Sequence, residues 1–199
     1  MFFRKKLWSF VFAAIAPVGV GQIAHAAFVV NLQQVGANVV GNGSGTINTA
    51  GLTPDPDFFS GFDFGQAAIG ARDPFMALGP VTDTAVNVYD GISGPSNFGP
   101  GGGFTASSGS GDAVTMYFDA RLYVPSGYVS GAALSDTATW ANQSFNSLGV
   151  TPGTYTWTWG SGATADSFTL NAIAVPEPTS AALLTLAGLS LLSRRRHRN

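Results

Sequence analysis

Strict alternation of apolar and polar positions is clearest late in the chain. From Thr154 to Trp159, three threonines fall on one face of an extended segment, and Tyr155, Trp157 and Trp159 fall on the other. Period-two patterning of this kind marks a strand with one buried face. Ser167 to Asn171 repeats it, with Phe168 and Leu170 sharing a face. The run Ala113 to Val124 reads as one longer strand, with Val114, Met116 and Phe118 alternating against Thr115, Tyr117 and Asp119. Phe28 to Val35, Phe75 to Leu78, Thr84 to Tyr89 and Thr137 to Phe145 have strand composition, and shorter pieces lie near Asn38 to Val40 and Tyr128 to Ser130.

Turn residues separate these runs. Thr53-Pro54-Asp55-Pro56-Asp57, Gly91 to Gly103, Pro125-Ser126-Gly127, Thr151-Pro152-Gly153 and Gly160-Ser161-Gly162 are loops or turns. Gly41-Asn42-Gly43-Ser44-Gly45 has the look of a dinucleotide loop, but no helical pattern follows it, so it reads as a hairpin turn. No amphipathic helical pattern occurs between Ala27 and Ile173. Short strands divided by regular turn signals predict an all-β unit, an antiparallel β-sandwich of jelly-roll-like type, over residues 27–173.

Both ends of the chain depart from this pattern. Residues 1–26 open with Arg4-Lys5-Lys6, continue through an apolar centre and close on Ala24-His25-Ala26. That is the plan of a secretory signal peptide cleaved after Ala26. Residues 174–199 have three parts. Val175-Pro176-Glu177-Pro178 is a stiff linker. Thr179 is placed to cap an Ala- and Leu-rich run that predicts a single transmembrane helix. Arg194, Arg195, Arg196 and Arg198 form a basic stop of the kind held on the cytoplasmic side of a membrane. At 1.5 Å per residue, Thr179 to Ser193 reaches about 22 Å, short of a bilayer core of about 30 Å. The geometry suits a transient anchor better than a permanent one.

The tail resembles the PEP-CTERM sorting signal of Gram-negative bacteria. The resemblance covers Val175 to Asn199. It implies that Pro176, Glu177 and Pro178 are recognised by an exosortase, a membrane protease that sorts exported proteins to the envelope or extracellular matrix. It also implies a link to exopolysaccharide and biofilm production. Val124 to Ile173 is similar to stretches of other bacterial proteins bearing the same tail, which implies a shared β domain without an assigned activity.

Charge sharpens this picture. Between Ala27 and Ile173 there are ten aspartates and two basic residues, Arg72 and Arg121, so that +2 and −10 leave −8. An acidic domain of this kind repels phosphate backbones, and no nucleic-acid partner is expected. The same interval has no His, Cys, Lys or Glu. Ser-His-Asp and Cys-His catalysis, lysine Schiff bases, disulfides and His or Cys metal sites are thereby excluded from it.

The residues left over suggest three chemistries. Aspartates among Asp55, Asp57, Asp63 and Asp73 could act as an acid and base pair on a sugar, but aspartates beside Pro and Gly are ordinarily turn residues. Asp55, Asp57 and Asp63 are the candidate oxygen ligands for Ca2+, with Asp90 and Asp112 flanking the glycine-rich loop. No other cofactor is expected. Trp140, Trp157 and Trp159 are candidate sugar contacts, against the alternative that they fill the core. The expectation is a non-enzymatic exported β-sandwich, with a carbohydrate-binding module for exopolysaccharide as the alternative.

Overall fold

The computed structural model describes residues 27–55, 57 and 66–174, together with the backbone of 62–63. The signal segment with Ala24 and Ala26, the sorting motif Pro176, Glu177 and Pro178, the apolar run and Arg194, Arg195, Arg196 and Arg198 lie outside the described residues. Within them the chain is mostly β, arranged as two sheets. No helix among the described residues is long and apolar enough to cross a membrane.

The first sheet has six strands. In spatial order they are β13 (Gly153–Trp159), β14 (Asp166–Ile173), β1 (Ala27–Val35), β2 (Asn38–Thr46), β12 (Ala133–Trp140) and β9 (Ser108–Gly111). The second sheet runs β3 (Thr53–Pro54), β7 (Ala85–Asp90), β11 (Arg121–Pro125), β10 (Val114–Tyr117), β6 (Phe75–Leu78), β5 (Ala68–Gly70) and β8 (Gly103–Thr105), with β4 (Phe62–Asp63) also pairing with β7. The sheets share one core, in which Phe28, Leu32, Trp140 and Phe168 of the first meet Met76, Leu78, Met116 and Leu122 of the second. Backbone bonds tie the sheets at their margins, where Ser93 and Thr158 exchange two hydrogen bonds of 2.9 and 2.8 Å.

Pairing is antiparallel with one exception. The first and last strands lie side by side and parallel, Ala27 opposite Ser167 and Gln33 opposite Ile173. A parallel pair cannot be closed by a tight turn, and here almost the whole domain is the connection. The two ends of the folded unit consequently leave from opposite ends of the same sheet. This departs from the wholly antiparallel order that the turn spacing predicts.

Four local expectations are corrected. Gly41 to Gly45 is strand interior, because β2 runs without a break to Thr46. Positions 39, 41 and 43 face inward, and the space allows little beyond hydrogen at two of them. A Cβ on Gly41 would come 2.8 Å from Leu78 Cδ2, and one on Gly43 would come 2.8 Å from the Phe28 ring and run into the Asp136 carboxylate. The segment Ala113 to Val124 is a hairpin, with β10 ending at Tyr117 and β11 starting at Arg121. Thr137 to Phe145 is divided between the end of β12 and a one-turn helix, α1 (Phe145–Leu148), capped by Ser144 and closed by Gly149 at φ 63. Tyr128 to Ser130 is a turn, secured by the Tyr128 hydroxyl, which donates to Ala132 O at 2.7 Å and accepts from Ile47 N at 3.0 Å.

Candidate functional site

The three tryptophans named as sugar contacts belong to the core. Trp140, Trp157 and Trp159 are each less than 5% exposed. Their indole N–H groups donate to Phe104 O, Pro95 O and Asn48 O at 3.0, 3.2 and 2.8 Å. Trp157 packs edge-on against Phe98 and Phe168. These rings fill the inner face of a strand whose threonines face out, and they present no free face to a sugar.

Of the aspartates named for calcium, Asp55 and Asp57 are described with their side chains, and the Asp63 side chain lies outside the described residues. Asp55 is 2% exposed and turns inward, where its Oδ2 lies 3.1 Å from Arg121 Nε. Asp57 is exposed, and its N–H donates to Asp55 Oδ1 at 2.8 Å, a local turn contact. Asp63 lies in β4, its backbone paired with Ala85. Asp112 Oδ2 accepts from Ser135 N at 2.7 Å, and Asp73 pairs with Arg72 at the surface. Among the described residues no group of three or more His, Cys, Asp or Glu is arranged to hold a metal.

Carboxylates do converge at one place, around a cation supplied by the chain itself. Arg121 Nε lies 3.1 Å from Asp55 and 3.2 Å from Asp90 Oδ1, and its Nη1 lies 3.0 Å from Asp119 Oδ2. These partners come from the loop after β3, the end of β7 and the β10–β11 turn. One guanidinium therefore clamps three segments.

The clamp positions an aromatic hairpin on the outer face of the second sheet. Inward residues of β10 and β11, namely Val114, Met116, Leu122 and Val124, leave Thr115, Tyr117, Arg121 and Tyr123 on the opposite face, where Tyr123 is buried with Val86, Val88 and Ala113 and Thr115 is buried as well. Tyr117 stacks on Tyr123 with centroids 5.5 Å apart and meets the Phe75 ring edge-on at 5.3 Å. Burial raises the Tyr123 hydroxyl to about 12, with Asp119 adding to the shift, so it is a neutral phenol at any physiological pH.

Phe118 stands at the tip, 53% exposed, its ring centroid 4.5 Å from that of Tyr117. It was expected inside, beside Val114 and Met116. The chain turns instead over residues 118–120, and Ala120 takes φ 69, a left-handed conformation that costs a non-glycine residue about 1 kcal/mol. The Ala120 carbonyl is held by the N–H groups of Gly91 and Ile92 at 3.1 and 3.3 Å.

A cleft opens on each side of this tip. One, of about 240 Å3, is lined by Asp73, Phe75 and the backbone of Gly101–Gly103. The other, of about 270 Å3, is lined by Ser93, Gly94, Ser96 and the edge of Trp157. Tyr117 and Phe118 belong to both. Sequence reasoning missed this site because position 118 has the parity of the core residues before it. The signal available was the pair Asp119-Ala120 ahead of Arg121, three residues with poor strand propensity or a need for partners.

No protein family, no curated protein and no solved structure matches this chain. The reading of its function therefore rests on its own residues and geometry.

Proposed function

We propose that this chain is an exported protein of the cell envelope or extracellular matrix, with a non-enzymatic β domain delivered through its C-terminal tail. In this reading an exosortase-type membrane protease recognises Pro176, Glu177 and Pro178. The apolar run is a transmembrane helix held until processing, with Arg194, Arg195, Arg196 and Arg198 on the cytoplasmic side. The N-terminal segment is a signal helix removed after Ala26. The two-sheet unit between them is a sandwich of jelly-roll-like outline, associated with exopolysaccharide or biofilm.

The observation that carries the reading is the order of motifs in the sequence: a basic start, an apolar centre and Ala24-His25-Ala26 ahead of Ala27, and Pro176-Glu177-Pro178, an apolar run and an arginine cluster after Ile173. A non-enzymatic role is supported by the side chains available, since three of the aspartates are engaged with Arg121 and the domain has no other class of general acid or base than aspartate and tyrosine.

Cell fractionation tests the proposal. The wild-type chain is expected in the envelope or medium, with an intact mass that begins at Ala27 and lacks the arginine cluster. The Glu177→Ala variant is expected to be exported but retained at the inner membrane with its tail intact. Finding both chains in the cytoplasm at full mass would overturn the proposal.

A further inference from the structure

We propose that the two clefts flanking Phe118 are consecutive subsites for a neutral polysaccharide, which crosses the hairpin tip over the exposed Phe118 ring. The role of such binding rests on the export proposed above, whereas the site itself rests on geometry.

The clefts share a wall of two aromatic rings and are nearly equal in volume, about 240 and 270 Å3. A single small ligand would need one of them. A linear polymer of similar units would occupy both, and a repeated unit is what two like cavities around one partition accommodate. The exposed Phe118 ring is chemically suited to sugar, because the C–H face of a pyranose packs on an aromatic ring while its hydroxyls point sideways; Tyr117 supports it, its ring stacked in turn on Tyr123. The rims supply partners for those hydroxyls. Asp73 and the bare backbone of Gly101–Gly103 lie on one side, and the Ser93 and Ser96 side chains lie on the other.

Charge selects a neutral polymer over an anionic one. Arg72 and Arg121 are the basic residues of the domain, and both are engaged with carboxylates, Arg72 with Asp73 and Arg121 with three aspartates. A uronate or sulfated chain would meet the Asp73 carboxylate on the rim and a domain of net charge −8, against one exposed cation, Arg72, already paired with Asp73. A second copy of this chain fits less well. Among the described residues the other large exposed apolar side chains, Val35, Val129 and Ile173, lie on different elements from the hairpin, whereas a stable protein interface buries a contiguous area above about 1,000 Å2.

The construction of the tip argues against an accidental exposure. An exposed phenylalanine is carried on a turn with a left-handed alanine, pinned through its carbonyl by Gly91 and Ile92 and through Asp119 by Arg121. Backbone strain of this kind persists where surrounding contacts over-determine it, and such places cluster at binding sites.

Affinity electrophoresis of the full-length chain in mild detergent tests the proposal, with gels containing hydroxyethyl cellulose, laminarin, glycogen or galactomannan, and alginate or polygalacturonate as anionic counterparts. At least one neutral gel is expected to retard the wild type, and the anionic gels are not. Phe118→Ala is expected to weaken the retardation at least about tenfold. Val129→Ser removes an exposed apolar side chain elsewhere and is expected to leave it unchanged. Retardation in none of the four neutral gels, retardation by anionic polymers alone, or equal retardation of Phe118→Ala overturns the proposal. So does sedimentation showing that Phe118 drives self-association without polysaccharide binding. Fractionation of Glu177→Ala is read without any sugar, so failure of either experiment leaves the other result standing.

Discussion

Asp136 occupies a core-facing position of β12, between the inward residues Leu134 and Ala138. It is 3% exposed, and its neighbours across the sheet on both sides are glycines, Gly43 and Gly111. Neither carboxylate oxygen has a hydrogen-bond partner of good geometry. Burial pushes the group from 3.8 up to about 8, Asp112 adds like-charge repulsion, and the Gly43 backbone holds the shift back slightly. The folded protein therefore keeps a proton on Asp136 that the unfolded chain releases near pH 4. Between those two values the native state binds the extra proton, so stability falls as pH rises, by about 1.4 kcal/mol per unit, and levels off above about pH 8. A shift from 3.8 to about 8 sets a ceiling on the order of 5 kcal/mol, reduced if ionisation opens a local path to water. Asp136→Asn removes the titration and keeps the shape. Urea unfolding from pH 5 to pH 9 should give the wild type a downward slope that the variant lacks. The variant should be more stable by about 1.6 kcal/mol at pH 5, and by several kcal/mol at pH 9. Parallel profiles would refute the reasoning, since they would mean that Asp136 ionises in the fold as readily as outside it.

Two further outcomes follow from the hairpin. Ala120→Gly relieves the left-handed alanine at the cost of a more flexible unfolded chain, and should raise stability by no more than about 0.6 kcal/mol in urea unfolding. Arg121→Met leaves Asp55 buried without its guanidinium and should lower stability by about 2–4 kcal/mol, a figure discounted for the partial exposure of Arg121; the double variant with Asp55→Leu should regain most of the loss.

The strands that alternate apolar with polar residues were legible, and so was their all-β outcome. Phe75 to Leu78 matches β6, and Thr154 to Trp159 lies within β13 with its threonines outward. Where the alternation is written in glycine it carries no hydrophobic signal. In β2 the inward positions 41 and 43 are glycines because Leu78, Phe28 and Asp136 occupy the room, so a strand reads as a turn. Hairpin 118–120 was hidden for the opposite reason, having no Gly, Pro or Asn to announce it. α1 is too short to show a period, and only Ser144 and Ser147, each bonded to the other's segment, mark it. The Arg121 clamp joins aspartates that are far apart along the chain, and the parallel pairing of β1 with β14 joins its two ends. Neither follows from local pattern, because long-range pairing is decided by how sheets close around a core.

That parallel pair bears on how the folded unit can be delivered. β1 and β14 are central strands of the first sheet, flanked by β2 and β13. In the proposed export, a unit emerging from its N-terminus would hold β1 without its parallel neighbour until the last residues before the tail emerge. The seven register pairs from Ala27–Ser167 to Gln33–Ile173 can form only then. Contacts this distant in sequence form late and slowly, because the intervening chain must first be closed. A tail that halts in the membrane would keep the chain tethered while β14 docks between β1 and β13. If the tail is a membrane-halted sorting signal, as proposed, β14 would complete the sheet while the chain is still tethered.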